Sequence, residues 1–123
     1  METEKFGLRA EEWFIAILKE EGYVVMKSTY SEDHFDKVDL WIWYNGSYIA
    51  VQVSVDKEAI MSWKGKDALR RGIVPMWIDG DKLKAAFEGK KADGLTKTFW
   101  NRLEKIVDNF PIRRFRNPHW SSV

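Results

Sequence analysis

The chain contains no cysteine, and that absence removes disulfides, thiolate zinc sites and cysteine nucleophiles together. Catalysis, if present, must rest on carboxylates, lysine or a metal ion. No apolar run approaches the roughly 18 residues needed to cross a bilayer. The opening stretch METEKFGLRAEEW is charged where a secretory leader would be apolar, so the expected location is intracellular, in the cytoplasm, with no membrane partner. There is also little net charge, +1, and no internal repeat or low-complexity segment.

What remains is 123 residues with 45% hydrophobic and 32% charged residues, enough for a real core in one domain spanning 1–123. The charge is unevenly placed. From Lys97 onward stand Lys97, Arg102, Lys105, Arg113, Arg114 and Arg116 against Glu104 and Asp108, so this end carries +4 and residues 1–96 carry −3. Such asymmetry fits a polyanionic partner for the C-terminal end, and it equally fits a solvated helix with a frayed tail.

Phe6, Ala10, Trp13, Phe14, Ile17 and Leu18 recur at helical spacing before Gly22, which predicts a helix over 6–21. Tyr23–Ser28 is a short strand candidate, and TYSEDHFDK reads as a polar loop. Asp56–Arg71 has an aspartate in N-cap position and ends at Gly72, which predicts one further helix; Ile73–Ile78 is a buried strand candidate. A turn with a short helix follows, then an amphipathic helix whose Leu95, Phe99, Leu103, Ile106 and Phe110 end at Pro111. The expected class is α/β, in the order α-β-β-β-α-β plus C-terminal helices, with a mixed central sheet flanked by helices.

Between these elements lies VDLWIWYNGSYIAVQVSVDK. Asn45-Gly46 is the preferred dipeptide of a two-residue hairpin turn, so Tyr44 should face Ser47 and, counting back, Trp43 should face Tyr48, Trp41 Ala50 and Asp39 Gln52. Alternation places Asp39, Trp41, Trp43, Tyr48, Ala50, Gln52 and Ser54 on one face, where a carboxylate and an amide can touch one ion. Hard cations want several oxygens. Glu11, at the edge of the first helix's apolar stripe, is the best additional donor, whereas Glu12 points to water. The plainer account of Asp39 is a strand-start aspartate bonded to a loop amide, and that of Gln52 a polar residue on an exposed face.

These features resemble the PD-(D/E)XK nuclease superfamily, and in particular its small members such as archaeal Holliday-junction resolvases and Mrr-type restriction endonucleases. The residues that carry the resemblance are the helix GLRAEEWFIAILKEEGY, the strand DKVDLWIW and the strand IAVQVSV, within a core of about residues 6–78. The resemblance implies an αβββαβ restriction-endonuclease-like core. It also implies a Mg²⁺ (or Mn²⁺) site of Glu11, Asp39 and the Val53 carbonyl, with Gln52 in the family's Glu/Gln position. The activity implied is hydrolysis of phosphodiester bonds in nucleic acid, with DNA the expected substrate; a homodimer is compatible with it, since members often pair.

The departure is Ser54, which stands where the family has a lysine that offsets charge on the phosphate. Lys57, at the start of the next helix, is the first substitute, with Lys64 and Lys66 behind it. If none serves, the chain is a catalytically inactive module binding nucleic acid or a protein. Trp13, Trp63, Trp77 and Trp100 fall at core-like positions, while Trp41 and Trp43 share the Asp39 face. The tail PIRRFRNPHW interleaves Arg113, Arg114 and Arg116 with Phe115 and Trp120, which suits phosphate contacts and stacking, and suits docking on the domain's own surface or on a second subunit as well.

Overall fold

In the computed structural model, which describes residues 2–89 and 94–118, helix α1 runs Glu2–Glu20 and presents Ala10, Phe14, Ile15 and Leu18 as its buried stripe. Strand β1 follows at Val25–Lys27, then a π-helical turn at Glu32–Asp36, and the hairpin of β2 (Leu40–Tyr44) and β3 (Ser47–Ser54). The segment after the hairpin makes α2 (Lys57–Met61) and α3 (Trp63–Arg70) in place of the single predicted helix. Strand β4 (Val74–Trp77), α4 (Gly80–Phe87) and α5 (Leu95–Asn109) complete the order. No helix among the described residues is long and apolar enough to cross a membrane.

The four strands form one mixed sheet in the order β1-β2-β3-β4, antiparallel except for the parallel β3–β4 pair. Asn45 and Gly46 both take positive φ (46° and 87°), as a two-residue turn with the strands' own twist requires. The register follows from that turn: Tyr44 lies opposite Ser47, Trp43 opposite Tyr48 and Trp41 opposite Ala50. Pro75 sits in β4, an edge strand, where a missing N–H is tolerated.

Alternation along the strands divides the core in two. Leu40, Ile42, Tyr44, Ile49, Val51 and Val53 face α1 and α5, together with Phe14, Leu18, Leu83, Phe99 and Leu103. Trp41 and Ala50 face the other way, onto Ala68 of α3 and Ile73. The C-terminal tail closes this second layer: Phe115 forms an isolated antiparallel bridge with Tyr48, and its ring meets Trp41 edge-on at 5.3 Å. Arg113 donates its N–H to the Gly72 carbonyl, and Arg114 reaches the Ser47 hydroxyl.

The break between α2 and α3 falls at Ser62, whose backbone (φ −117°, ψ −131°) is not helical. Gly65 accompanies it, because a β-carbon there would fall on the Ile60 carbonyl oxygen. The break turns Trp63 outward to 72% exposure, against its expected place in the core. Trp13 and Trp100 are half-buried in ring stacks with Phe87 and Tyr23. Trp120 lies outside the described residues.

Candidate metal centre

The parallel strands β3 and β4 end at Ser54 and Trp77, side by side, and this end of the sheet gathers the acidic groups. Asp39 precedes β2. By alternation its N–H should turn towards β1, yet it is donated to the Val51 carbonyl on β3 at 2.9 Å, so the ladder is irregular at this residue. Its carboxylate then accepts the Val53 N–H at 2.7 Å, filling the place of the backbone acceptor that β2 no longer supplies. The carboxylate therefore lies at the end of the ladder, in line with the sheet, and not on the Trp41 face as strict alternation would have it. Because the N–H and C=O of one strand residue point to the same side, the Val53 carbonyl turns towards Asp39.

Glu11 comes from α1, one residue beyond buried Ala10, while Glu12 points outward to an exposed ion pair with Lys27 at 3.4 Å. Asp33, one of several acids in the SEDHFD loop, is the residue that sequence reasoning did not distinguish. It is held by a fastened turn. The buried Glu32 carboxylate accepts from the Thr29 N–H at 2.8 Å and the Trp41 indole at 3.1 Å. The Glu32 carbonyl accepts the Val38 N–H, and Lys37 closes the turn in the left-handed conformation. One carboxylate oxygen each from Glu11, Asp33 and Asp39 lies within 4.8 Å of the others.

Burial and crowding of like charge hold both inner carboxyls protonated far above the usual carboxylate range. Asp39, 7% exposed, is raised to about 9 by burial first and by the Glu11 charge second. Glu11 is raised to about 7, again by burial first, with the Asp33 charge adding to it and Lys27 and Lys64 opposing. A donor set of carboxylate oxygens without nitrogen or sulfur suits a hard cation such as Mg²⁺ or Mn²⁺, which would take the place of the shared protons.

A cavity of about 150 Å³ opens beside Glu11, lined also by Val53, Ser54 and Lys64. Lys64, on α3 just past the break, shares this cavity with Glu11. Lys57 does not line that cavity; its ammonium lies over the Trp77 ring, 4.9 Å from the centre. The Ser54 hydroxyl accepts the Asp56 N–H at 3.0 Å, and Asp56 in turn caps α2 through the Ala59 N–H, so Ser54 fixes the start of that helix. Gln52, whose expected pairing with Asp39 lies beyond the β2–β3 register, which ends at Leu40–Val51, is 5% exposed, and among the described residues its amide has no hydrogen-bond partner. Alternation turns it to the Trp41 face, away from the carboxylate cluster.

The tail arginines are not at this end of the molecule. Arg113 and Arg114 anchor the tail beside Gly72 and Ser47, at the hairpin end, and β3 separates Ser47 from Ser54 by roughly 20 Å at about 3.3 Å per residue. Arg116 is exposed just beyond them. Of the alternatives open for the tail, docking on the domain's own surface is the one seen. Compared with family models, with curated proteins and with solved structures, the chain matches none.

Proposed function

We propose that the chain is a divalent-metal-dependent nuclease that hydrolyses phosphodiester bonds in nucleic acid, on a restriction-endonuclease-like core of PD-(D/E)XK type. One observation supports this most: carboxylates from three separate segments, Glu11, Asp33 and Asp39, converge near the carboxyl end of the parallel strands, and Lys64 shares a cavity with one of them, Glu11. In this reading Glu11 and Asp39 would hold Mg²⁺ or Mn²⁺ together with the Val53 carbonyl, and Asp33 would add a third carboxylate. The cation would supply Lewis-acid polarisation of the phosphate and a more acidic water.

The remaining work falls to the chain's own groups. Val53 donates to Asp39 and so fixes which carboxylate oxygen stays open to the site. Lys64 offsets negative charge in the cavity and takes the part that Ser54 leaves vacant. The apolar walls formed by Ala10, Ile78 and Leu83 limit water and strengthen each of these interactions.

Cleavage of branched, duplex and single-stranded substrates, with Mg²⁺ or Mn²⁺ and with chelator, tests the reading. Cutting should need the metal, and Asp39→Ala and Lys64→Ala should each slow it by about 100-fold or more, the usual cost of removing one preorganised electrostatic group. Metal-independent cutting, or full activity in Asp39→Ala, would overturn it. A wild type that cuts nothing favours a second reading, a binding module with a nuclease-like fold, for which Ser54 in place of the motif lysine speaks.

A further inference from the structure

Two cations lie over one tryptophan next to the acidic cavity, and a third lines the groove beside it. Trp77 lies opposite Ser54 in the parallel ladder, and the following residue, Ile78, lines both that cavity and a groove of about 100 Å³ between α4 and α5. The indole is pinned by its Nε1–H, which donates to the Val55 carbonyl at 3.2 Å. Lys57 places its ammonium 4.9 Å from the ring centre, and Arg102 places its guanidinium carbon 5.1 Å away while donating to the Trp77 carbonyl. Lys82 lines the same groove.

None of the three is in an ion pair with a carboxylate among the described residues, unlike Lys27 with Glu12 and Arg71 with Asp67. The carboxylate lining the groove, Asp79, is engaged by the Asp81 and Lys82 N–H groups at the start of α4. A cation held over an aromatic face is positioned without being neutralised. Cations without counter-ions along a concave surface are what a polyanion binds.

We infer that this groove, together with the Trp77 face beside it, is the track by which the phosphate backbone of a single strand of nucleic acid reaches the acidic cavity, with Lys82 and Arg102 in the groove and Lys57 at the Trp77 ring as its phosphate contacts in place of the tail arginines. The inference rests on the nuclease reading and names how its substrate is held. A groove of about 100 Å³ is far too narrow to seat a duplex, which leaves a single backbone as its occupant. The position at the carboxyl end of β3 and β4 is also where open α/β sheets place their ligands.

The test is fluorescence anisotropy of a labelled oligothymidylate of about 12 nucleotides, titrated in chelator so that no cutting intervenes, over a range of salt. A single-strand phosphate contact contributes about 0.7 to the slope of log affinity against log salt, or about 5-fold in affinity near 0.1 M. Lys57→Gln and Arg102→Gln should each lose that much in both quantities, Arg102→Lys should retain them, and Arg114→Gln with Arg116→Gln should change neither. Unchanged salt slopes in Lys57→Gln and Arg102→Gln, loss confined to the tail variant, or no binding by the wild type would overturn the inference. Failure of the nuclease reading registers separately: Asp39→Ala would then cut as the wild type does, whatever the anisotropy shows.

Discussion

The buried carboxyl pair makes the metal-free protein less stable as pH rises, which is opposite to the usual behaviour of paired acids. Glu11 and Asp39 titrate near about 7 and about 9 in the fold, whereas in the unfolded chain both ionise below pH 5. Since the folded pKa is the higher one, the fold holds protons that the unfolded chain has released. Stability is therefore fully present below the unfolded values and is lost as pH climbs through the folded ones. Each retained proton contributes a slope of about 1.4 kcal/mol per pH unit. Counting a single retained proton between pH 6 and 8 gives a loss of about 3 kcal/mol, or roughly 10 °C in Tm for a domain of this size. Calorimetry in chelator at pH 6, 7 and 8 should show that fall, Asp39→Asn should flatten it, and excess Mn²⁺ at pH 8 should restore stability by about 3 kcal/mol at 100 times its Kd. A metal-free Tm that holds level or rises over this range, or an equal slope in Asp39→Asn, would refute the reasoning.

Two further substitutions probe how the site is built. Gly65→Ala, which drives a methyl into the Ile60 carbonyl, should cost about 1–3 kcal/mol and displace Lys64 from the cavity; an unchanged denaturation midpoint would show that the α2–α3 break does not depend on this glycine. Gln52→Met removes a buried amide without a partner among the described residues and should raise stability by about 1–2 kcal/mol, whereas a loss like that of an ordinary core truncation would mean the amide is satisfied after all.

The hairpin and its register were legible because Asn45-Gly46 admits few turn types, and alternation then carries the pairing back to Trp41. Glu11 was separable from Glu12 for a similar reason, since helical periodicity sets which of two neighbours borders the core. The position of the Asp39 carboxylate was not, because it lies just before the ladder begins at Leu40, and the period-two rule fails where pairing ends. Asp33 was hidden by its setting: nothing local separates it from Glu32 and Asp36, and the bonds that orient its turn come from Thr29 and distant Trp41. Lys64 and Trp63 depend on the backbone at Ser62, where one helical pattern gives way to two shorter helices and every side chain beyond it rotates. The tail is amphipathic enough to fit either solvent or sheet, and only the bridge of Phe115 to Tyr48 and its ring contact with Trp41 decide between them.

The clasp made by that tail also orders the events of folding. Arg114 and Ser47 lie 67 residues apart, and closing a loop of that length costs about 4 kcal/mol in chain entropy. The paired hydrogen bonds with Tyr48 and one aromatic contact repay this only after the sheet beneath them exists, whereas the hairpin closes over two residues and needs nothing else first. The tail is therefore the last segment to settle and the first to lift. When it lifts it uncovers Trp41, whose indole fastens the turn carrying Asp33 through Glu32, so the clasp and that carboxylate are joined through one side chain, while Asp39 is held independently by the Val53 N–H.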